Sequence, residues 1–290
     1  MGNMCRVEYE QTYIDIADQR LGLQVYPEPA PDAPLVVVWP AMGVPARYYR
    51  PLATQLHAAG LAVVVADLRG TGASTPRPSR SSRYGYGDLA ADVGAVLASL
   101  DTTGRTVLLL GHSLGGQACV LHLALSGSAD AVDGLVLVAV GLPYFRAYRG
   151  RRARGVLVLT QWINAVSAVL RVWPGWGFGG RQARGVIRDW AYTARHGRFP
   201  RRGGVDVEAA LGRVRTPVLA ISVDGDTFTP APTLDHLVAK LTQAPVQREH
   251  LTSADLGTAV DHFTWVRASA PIAARVAQVA RTVRSGVAEP

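Results

Sequence analysis

The chain has 290 residues, 48% of them hydrophobic and 18% charged, a globular composition with length enough to bury a sizeable core. Its two cysteines, Cys5 and Cys119, exclude a disulfide framework and point to a reducing, cytoplasmic compartment. The formal charge of +8 is concentrated: residues 142–202 hold thirteen arginines and one acid, Asp189, so that stretch accounts for +12 and the remainder for −4.

The amino terminus up to Ile16 has no apolar core of the kind a secretory signal carries. It starts Met-Gly with Cys5 nearby, but Arg6 stands where an acylation signal needs Ser or Thr, so no acylation is expected. Alternating patterns over Cys5–Ile16 and Leu21–Tyr26 predict an antiparallel hairpin, closed by the breakers of PEPAPDAP. After it the texture changes to short apolar runs: 35–39, 61–67, 106–111, 134–140, 217–223 and 246–251. Strands buried on both faces of a parallel sheet read this way.

Helical patterns separate the runs. Pro51 and Gly60 bracket PLATQLHAAG in the places a helix favours for them. In YGDLAADVGAVLASL the residues Leu89, Val93, Val96, Leu97 and Leu100 share one face, and a similar pattern predicts a helix from Phe263 to Val283. The alternation predicts an α/β fold, a mostly parallel doubly wound sheet of about eight strands. Residues 142–204 break the schedule. That insert holds Trp162, Trp173, Trp176 and Trp190 along with the arginines. Its most apolar part is interrupted by Gln161, Asn164, Ser167 and Arg171, short of the roughly 20 apolar residues of a membrane span.

Chemistry is concentrated at TVLLLGHSLGGQACVLHLAL, where an apolar strand runs into an apolar helix with no spacer. Gly111–His112–Ser113–Leu114–Gly115 matches G-x-S-x-G, a sharp turn that lifts a serine hydroxyl clear of the sheet. The glycines let two backbones approach closely, and the Leu114 amide at the helix start faces the place where an oxyanion would form. A serine nucleophile needs a histidine base and a carboxylate to orient it, following the serine as acid, then histidine. PVLAISVDGDTFTP offers Asp224 and Asp226. Asp226 is preferred, because Asp224 directly ends the strand and suits a turn. Beyond them lie His236, inside a helix, His250, within the last strand, and His262, on the loop before the last helix. His262 is the expected base. His57, His112, His122 and His196 are expected to be structural.

GHSLGG, DLRGTGAS (Asp67–Ser74), DTFTP and the late DHFTW, in this order and spacing, resemble the α/β-hydrolase superfamily over essentially the whole chain. The resemblance implies a core of residues 1–141 and 205–290, with residues 142–204 inserted as a helical lid. It implies that DLRGTGAS makes a tight turn beside the active site. Where this superfamily usually carries His-Gly after the third strand, the chain reads Pro40–Ala41–Met42–Gly43, similar to a bacterial branch of serine hydrolases. The Met42 amide would then be the second oxyanion donor, beside that of Leu114.

The expected activity is serine hydrolysis of a carboxylic ester or thioester with a hydrophobic acyl group, through an acyl-enzyme on Ser113, with no cofactor or metal. A rival is transfer of the acyl group to another nucleophile by an acyltransferase or cyclase, served by an acyl carrier protein or coenzyme A thioester. A non-catalytic binding protein of the same fold is the third reading. The lid tryptophans would line an apolar pocket. The arginines read as a solvated face enlarged by coding bias, as a site for an anionic substrate or carrier, or as a contact to anionic lipid. Nucleic acid is not an expected partner, because no binding module accompanies the arginines.

Overall fold

The apolar runs between 35 and 223 become strands of a single sheet because their alternate side chains enter two different cores, whereas 246–251 is a largely polar edge strand buried only at Leu251. The computed structural model describes residues 7–126 and 132–286. Cys5 and the Met-Gly start lie outside the described residues.

The opening hairpin forms as β1 (Glu10–Ile16) and β2 (Gln19–Val25), paired antiparallel. The chain continues through β3 (Leu35–Trp39), α1 (Arg50–Ala58), β4 (Ala62–Ala66), α2 (Tyr86–Ala98) and β5 (Val107–His112). Next come α3 (Leu114–Ser126) and β6 (Gly134–Val138). The insert contains α4 (Arg151–Leu170), the two-residue strands β7 (Val172–Trp173) and β8 (Gln182–Ala183), and α5 (Arg184–His196). The chain returns through α6 (Val207–Leu211), β9 (Val218–Val223), α7 (Ala231–Val238), β10 (Val246–Leu251), α8 (Ser253–Leu256) and α9 (Ala270–Arg284).

The sheet has eight strands in the order β1-β2-β4-β3-β5-β6-β9-β10. Only the β1–β2 and β2–β4 pairs are antiparallel. On β3, Leu35, Val37 and Trp39 face one core with α2, α3 and α7, while Val36 and Val38 face the other with α1 and α9. Two-sided burial is why these strands lack alternation, and each fully buried Val or Leu contributes about 1.5–3 kcal/mol. Helix α3 is apolar nearly all round, since it is buried from Leu114 to Leu123.

Two details differ from the sequence expectation. The last helical pattern is broken: a 3₁₀ turn at Thr264–Ala268 precedes α9, which starts afresh with Pro271 in its first turn. Proline suits a helix start and disfavours helical backbone in the residue before it. The insert also holds strands after all, but β7 and β8 pair only with each other, outside the main sheet.

Winding reverses between β3 and β5, so the loops leaving these adjacent strands diverge and open a crevice at their carboxyl ends. The register sets Trp39 beside Gly111, and His112 beside Val138. The loops after β3, β5, β6 and β9 therefore emerge together. The insert is tied down over them: its single acid, Asp189, accepts the Tyr86 amide at 3.0 Å at the start of α2. Arg202 reaches Asp88 at 3.3 Å, and Arg181 donates to the Pro78 carbonyl at 2.6 Å.

Candidate active site

Ser113 is the single residue between β5 and α3, with φ of 51°. A non-glycine residue is rarely held at positive φ, and such strain persists only where its surroundings enforce it. The enforcement is visible in the flanking glycines. A Cβ at Gly111 would run into the Cα of Gly116, and one at Gly115 into the carbonyl oxygens of Trp39 and Pro40. The G-x-S-x-G spacing thus serves two close approaches, strand to helix and helix to neighbouring loop.

That neighbouring loop is Pro40–Ala41–Met42–Gly43. The Ala41 amide donates to the Tyr49 hydroxyl at 2.8 Å, and the Val44 amide closes a turn onto the Ala41 carbonyl at 3.0 Å. Among the described residues, the amides of Met42 and Leu114 make no hydrogen bond. Gly43 has φ of 73°, and a Cβ there would strike the Gly179 carbonyl of the insert. Asp67, first residue of DLRGTGAS, fixes the same region: its carboxylate accepts the Ala46 amide at 2.6 Å and the Ala73 amide at 2.8 Å. A side chain at Gly72 would collide with that carboxylate.

Two Asp–His pairs form beyond β9, and they differ in surroundings. Asp224 meets His250 Nε2 at 3.1 Å, with both side chains well exposed, and also accepts the Ser253 amide at 2.8 Å. Asp226 meets His262 Nδ1 at 2.9 Å, and both are buried, at 7% and 3% exposure. Its carboxylate accepts the Phe228 and Thr229 amides on Oδ1 at 2.9 and 2.8 Å, and the Thr229 hydroxyl on Oδ2 at 2.7 Å. Burial opposes ionisation of Asp226, but the His262 and Thr229 donors outweigh it and hold the carboxyl below its ordinary range. An ionised acceptor on Nδ1 leaves Nε2 of His262 as the nitrogen that is free to take a proton.

His262, Ser113, Met42 and Leu114 line one cavity of about 270 Å³. The structure therefore gathers Ser113, His262, Met42 and Leu114 around one space, with Asp226 behind the imidazole. His236 is elsewhere, bonded through Nε2 to the Gly197 carbonyl at 2.7 Å. His112 is buried beneath His262, their rings 4.8 Å apart, and its Nδ1 lies 2.7 Å from the Tyr49 hydroxyl.

The insert supplies much of the cavity wall, but not through the four tryptophans as a group. Only Trp190 lines it, stacked on Phe178 at 4.9 Å. Trp173 is fully buried in a separate cluster with Ile163 and Ile187. Trp162 and Trp176 flank Trp173 edge-on and are half exposed, because their positions point away from the core. The apolar lining is instead Met42, Val156, Leu159, Phe178 and Phe228, with Arg152 as the charged residue of the wall. Thr229, Tyr49 and Phe228 were not singled out by the sequence. The D-x-x-T spacing of Asp226 and Thr229, an Asx-type turn, is the one signal that pointed to any of them.

A serine at a strained strand–helix corner, a buried Asp–His pair and a shared cavity at the switch point of a mostly parallel sheet define an α/β-hydrolase. Residues 30–253 match the family described as "Serine aminopeptidase, S33", and the chain belongs to that family. No curated protein matches the chain in sequence. Among solved structures, it is similar to a soluble variant of monoglyceride lipase from Saccharomyces cerevisiae, with 12% identity, 95% of this chain and 96% of that one covered, and a TM-score of 0.70. A putative lipase from Acinetobacter baumannii gives 14% identity, coverage of 96% and 93%, and a TM-score of 0.67. The thioesterase domain from the curacin biosynthetic pathway gives 18% identity, coverage of 94% and 99%, and a TM-score of 0.60. At these identities the likeness concerns the fold.

Proposed function

We propose that the protein is a serine hydrolase of carboxylic esters or thioesters that carry a hydrophobic acyl group. Ser113 Oγ attacks the carbonyl carbon while its proton passes to Nε2 of His262. The oxyanion is received by the Met42 and Leu114 amides, and Asp226 balances the imidazolium that forms. His262 returns the proton to the departing alkoxide or thiolate. Water then attacks the acyl-enzyme, with His262 as base, and releases the acid and free Ser113. Residues 142–204 act as a lid, and the Pro40–Gly43 turn as the oxyanion loop of a bacterial branch. A cytoplasmic location completes this reading, supported by the unpaired Cys119 in the core.

The observation that carries the substrate class is the cavity wall. Its described residues include no Asp or Glu, and Arg152 is its charged member. An aminopeptidase needs a carboxylate for the substrate ammonium group, and Arg152 in this wall would repel that ammonium. Met42, Val156, Leu159, Phe178 and Phe228 favour an apolar chain instead. An acyl-length series of p-nitrophenyl esters beside acyl-thioesters, run with wild type and Ser113→Ala, tests the reading. Turnover should rise with chain length and vanish in the variant. A preference for aminoacyl amides over every ester would refute it.

A further inference from the structure

Helix α4 is built the wrong way round for a helix that faces water. Its inward side carries Thr160, Ile163 and Ser167. The Thr160 hydroxyl turns back to its own helix, donating to the Leu157 carbonyl at 3.0 Å, and the buried Ser167 hydroxyl has no partner. Its outward side carries Val158, Trp162, Ala165 and Val169, spaced so that they fall on one stripe. Val158 is 68% exposed, Trp162 51% and Val169 81%, and Trp176 beside them is 60% exposed. By length and composition α4 is apolar enough to cross a membrane, yet only 17% of its apolar window is buried. A contiguous apolar stripe of this kind marks a contact surface.

The charges around the stripe identify what it contacts. Arg149, Arg151 and Arg154 are exposed around the start of α4, and Arg171 is exposed at its end. The first turn of α4 contains no acid, and Arg149, Arg151 and Arg154 sit at the positive end of the helix dipole, where cations are unfavourable. Three arginines elsewhere in the insert, Arg188, Arg201 and Arg202, pair with Asp189, Asp206 and Asp88. Among the described residues, Arg149, Arg151, Arg154 and Arg171 have no ion-pair partner. An apolar stripe with half-exposed tryptophans, ringed by unpaired arginines, is the pattern of a helix lying in the surface of an anionic bilayer.

We infer that α4 docks on an anionic lipid surface, its Val158–Val169 stripe among the acyl chains and its arginines on the lipid phosphates. Arg152 and Leu159 of the same helix line the cavity, so docking sets the cavity mouth against the bilayer. The proposed ester hydrolase would then draw its acyl substrate directly from lipid, and this last step rests on that activity. An acidic carrier protein is less well matched, since it would pair with the arginines but leave the apolar stripe in water.

The test is co-sedimentation of the full chain, as Ser113→Ala, with vesicles of phosphatidylglycerol and phosphatidylcholine or of phosphatidylcholine alone. Binding to the anionic vesicles only is expected. Arg151→Gln/Arg154→Gln should weaken it roughly thirtyfold, and Val158→Gln/Val169→Gln roughly tenfold. Both pairs lie off the cavity wall, so in the Ser113 background they should leave turnover of a short soluble ester unchanged. No sedimentation, or equal sedimentation of all variants, overturns the inference. So does a dimer lost in Val158→Gln/Val169→Gln, or capture by acyl carrier protein, if vesicles are not bound. A chain that cleaves the soluble ester but ignores vesicles loses only this inference. A chain that binds vesicles but cleaves no ester loses only the proposed activity.

Discussion

The Tyr49 hydroxyl lies 2.7 Å from Nδ1 of His112 and accepts the Ala41 amide at 2.8 Å, so one buried phenol joins the residue before Ser113 to the residue before Met42. It fixes the distance between the nucleophile turn and the proposed oxyanion loop. Tyr49→Phe leaves the Ala41 amide buried without an acceptor, at a cost of about 1–3 kcal/mol in stability. We expect kcat to fall about tenfold with KM nearly unchanged, because the loop's donor matters most in the transition state. Steady-state kinetics beside a urea melt checks both. Loss of stability with kcat intact would make Tyr49 purely structural.

The two Asp–His pairs give a sharp contrast. Asp226→Asn keeps the shape but loses the charge behind His262, and kcat/KM should drop by about 10³–10⁴. Asp224→Asn touches an exposed pair and should stay within a few-fold of wild type. Kinetics on one p-nitrophenyl ester decides, and the opposite order would move the acid to Asp224.

Acid should weaken the fold through His112. Burial, followed by the neighbouring His262, holds its imidazole well below its ordinary 6.5. The unfolded chain would protonate this group near pH 6.5 while the folded chain does not. The unfolded state then binds more protons, so stability is lost as pH falls below 6.5, by about 1.4 kcal/mol per pH unit. Denaturation between about pH 7 and pH 5 should show this slope, less steep in His112→Asn. His122, also held low by burial, keeps a share of the slope in both proteins. An equally steep variant would contradict the assignment.

Gly43 should resist substitution. Its φ of 73° disfavours any side chain, and a Cβ would displace the Gly179 carbonyl. Gly43→Ala is expected to destabilise by more than about 1 kcal/mol and to lower kcat by moving the Met42 amide. A thermal melt and kinetics check it, and unchanged values would show that the loop and insert yield freely.

Much of this was legible in the sequence, for identifiable reasons. The strands were, because burial on both faces leaves apolar runs such as Leu35–Trp39, too short for a helix and bounded by breakers such as Pro34 and Pro40. Ser113 was, because close approach demands glycine at fixed spacing. Tyr49 was not, because its hydroxyl bonds to His112, distant in the chain, which leaves no periodic trace; Thr229 left only the short D-x-x-T spacing to Asp226. Trp162 misled, because residue type does not reveal which side of α4 meets the cavity. Thr160 turns inward and Trp162 outward. The break before α9 was hidden because the 3₁₀ turn keeps Trp265 and Val266 buried, as a continuous helix would.

The most direct test of the account is labelling with a fluorophosphonate, which reacts with an activated serine. Intact mass should show one adduct on the wild type, mapped by peptide analysis to Ser113, and none on Ser113→Ala. His262→Ala should slow labelling strongly. Equal labelling of wild type and Ser113→Ala, or an adduct on any other residue, would contradict the central claim that this corner of the sheet carries the nucleophile.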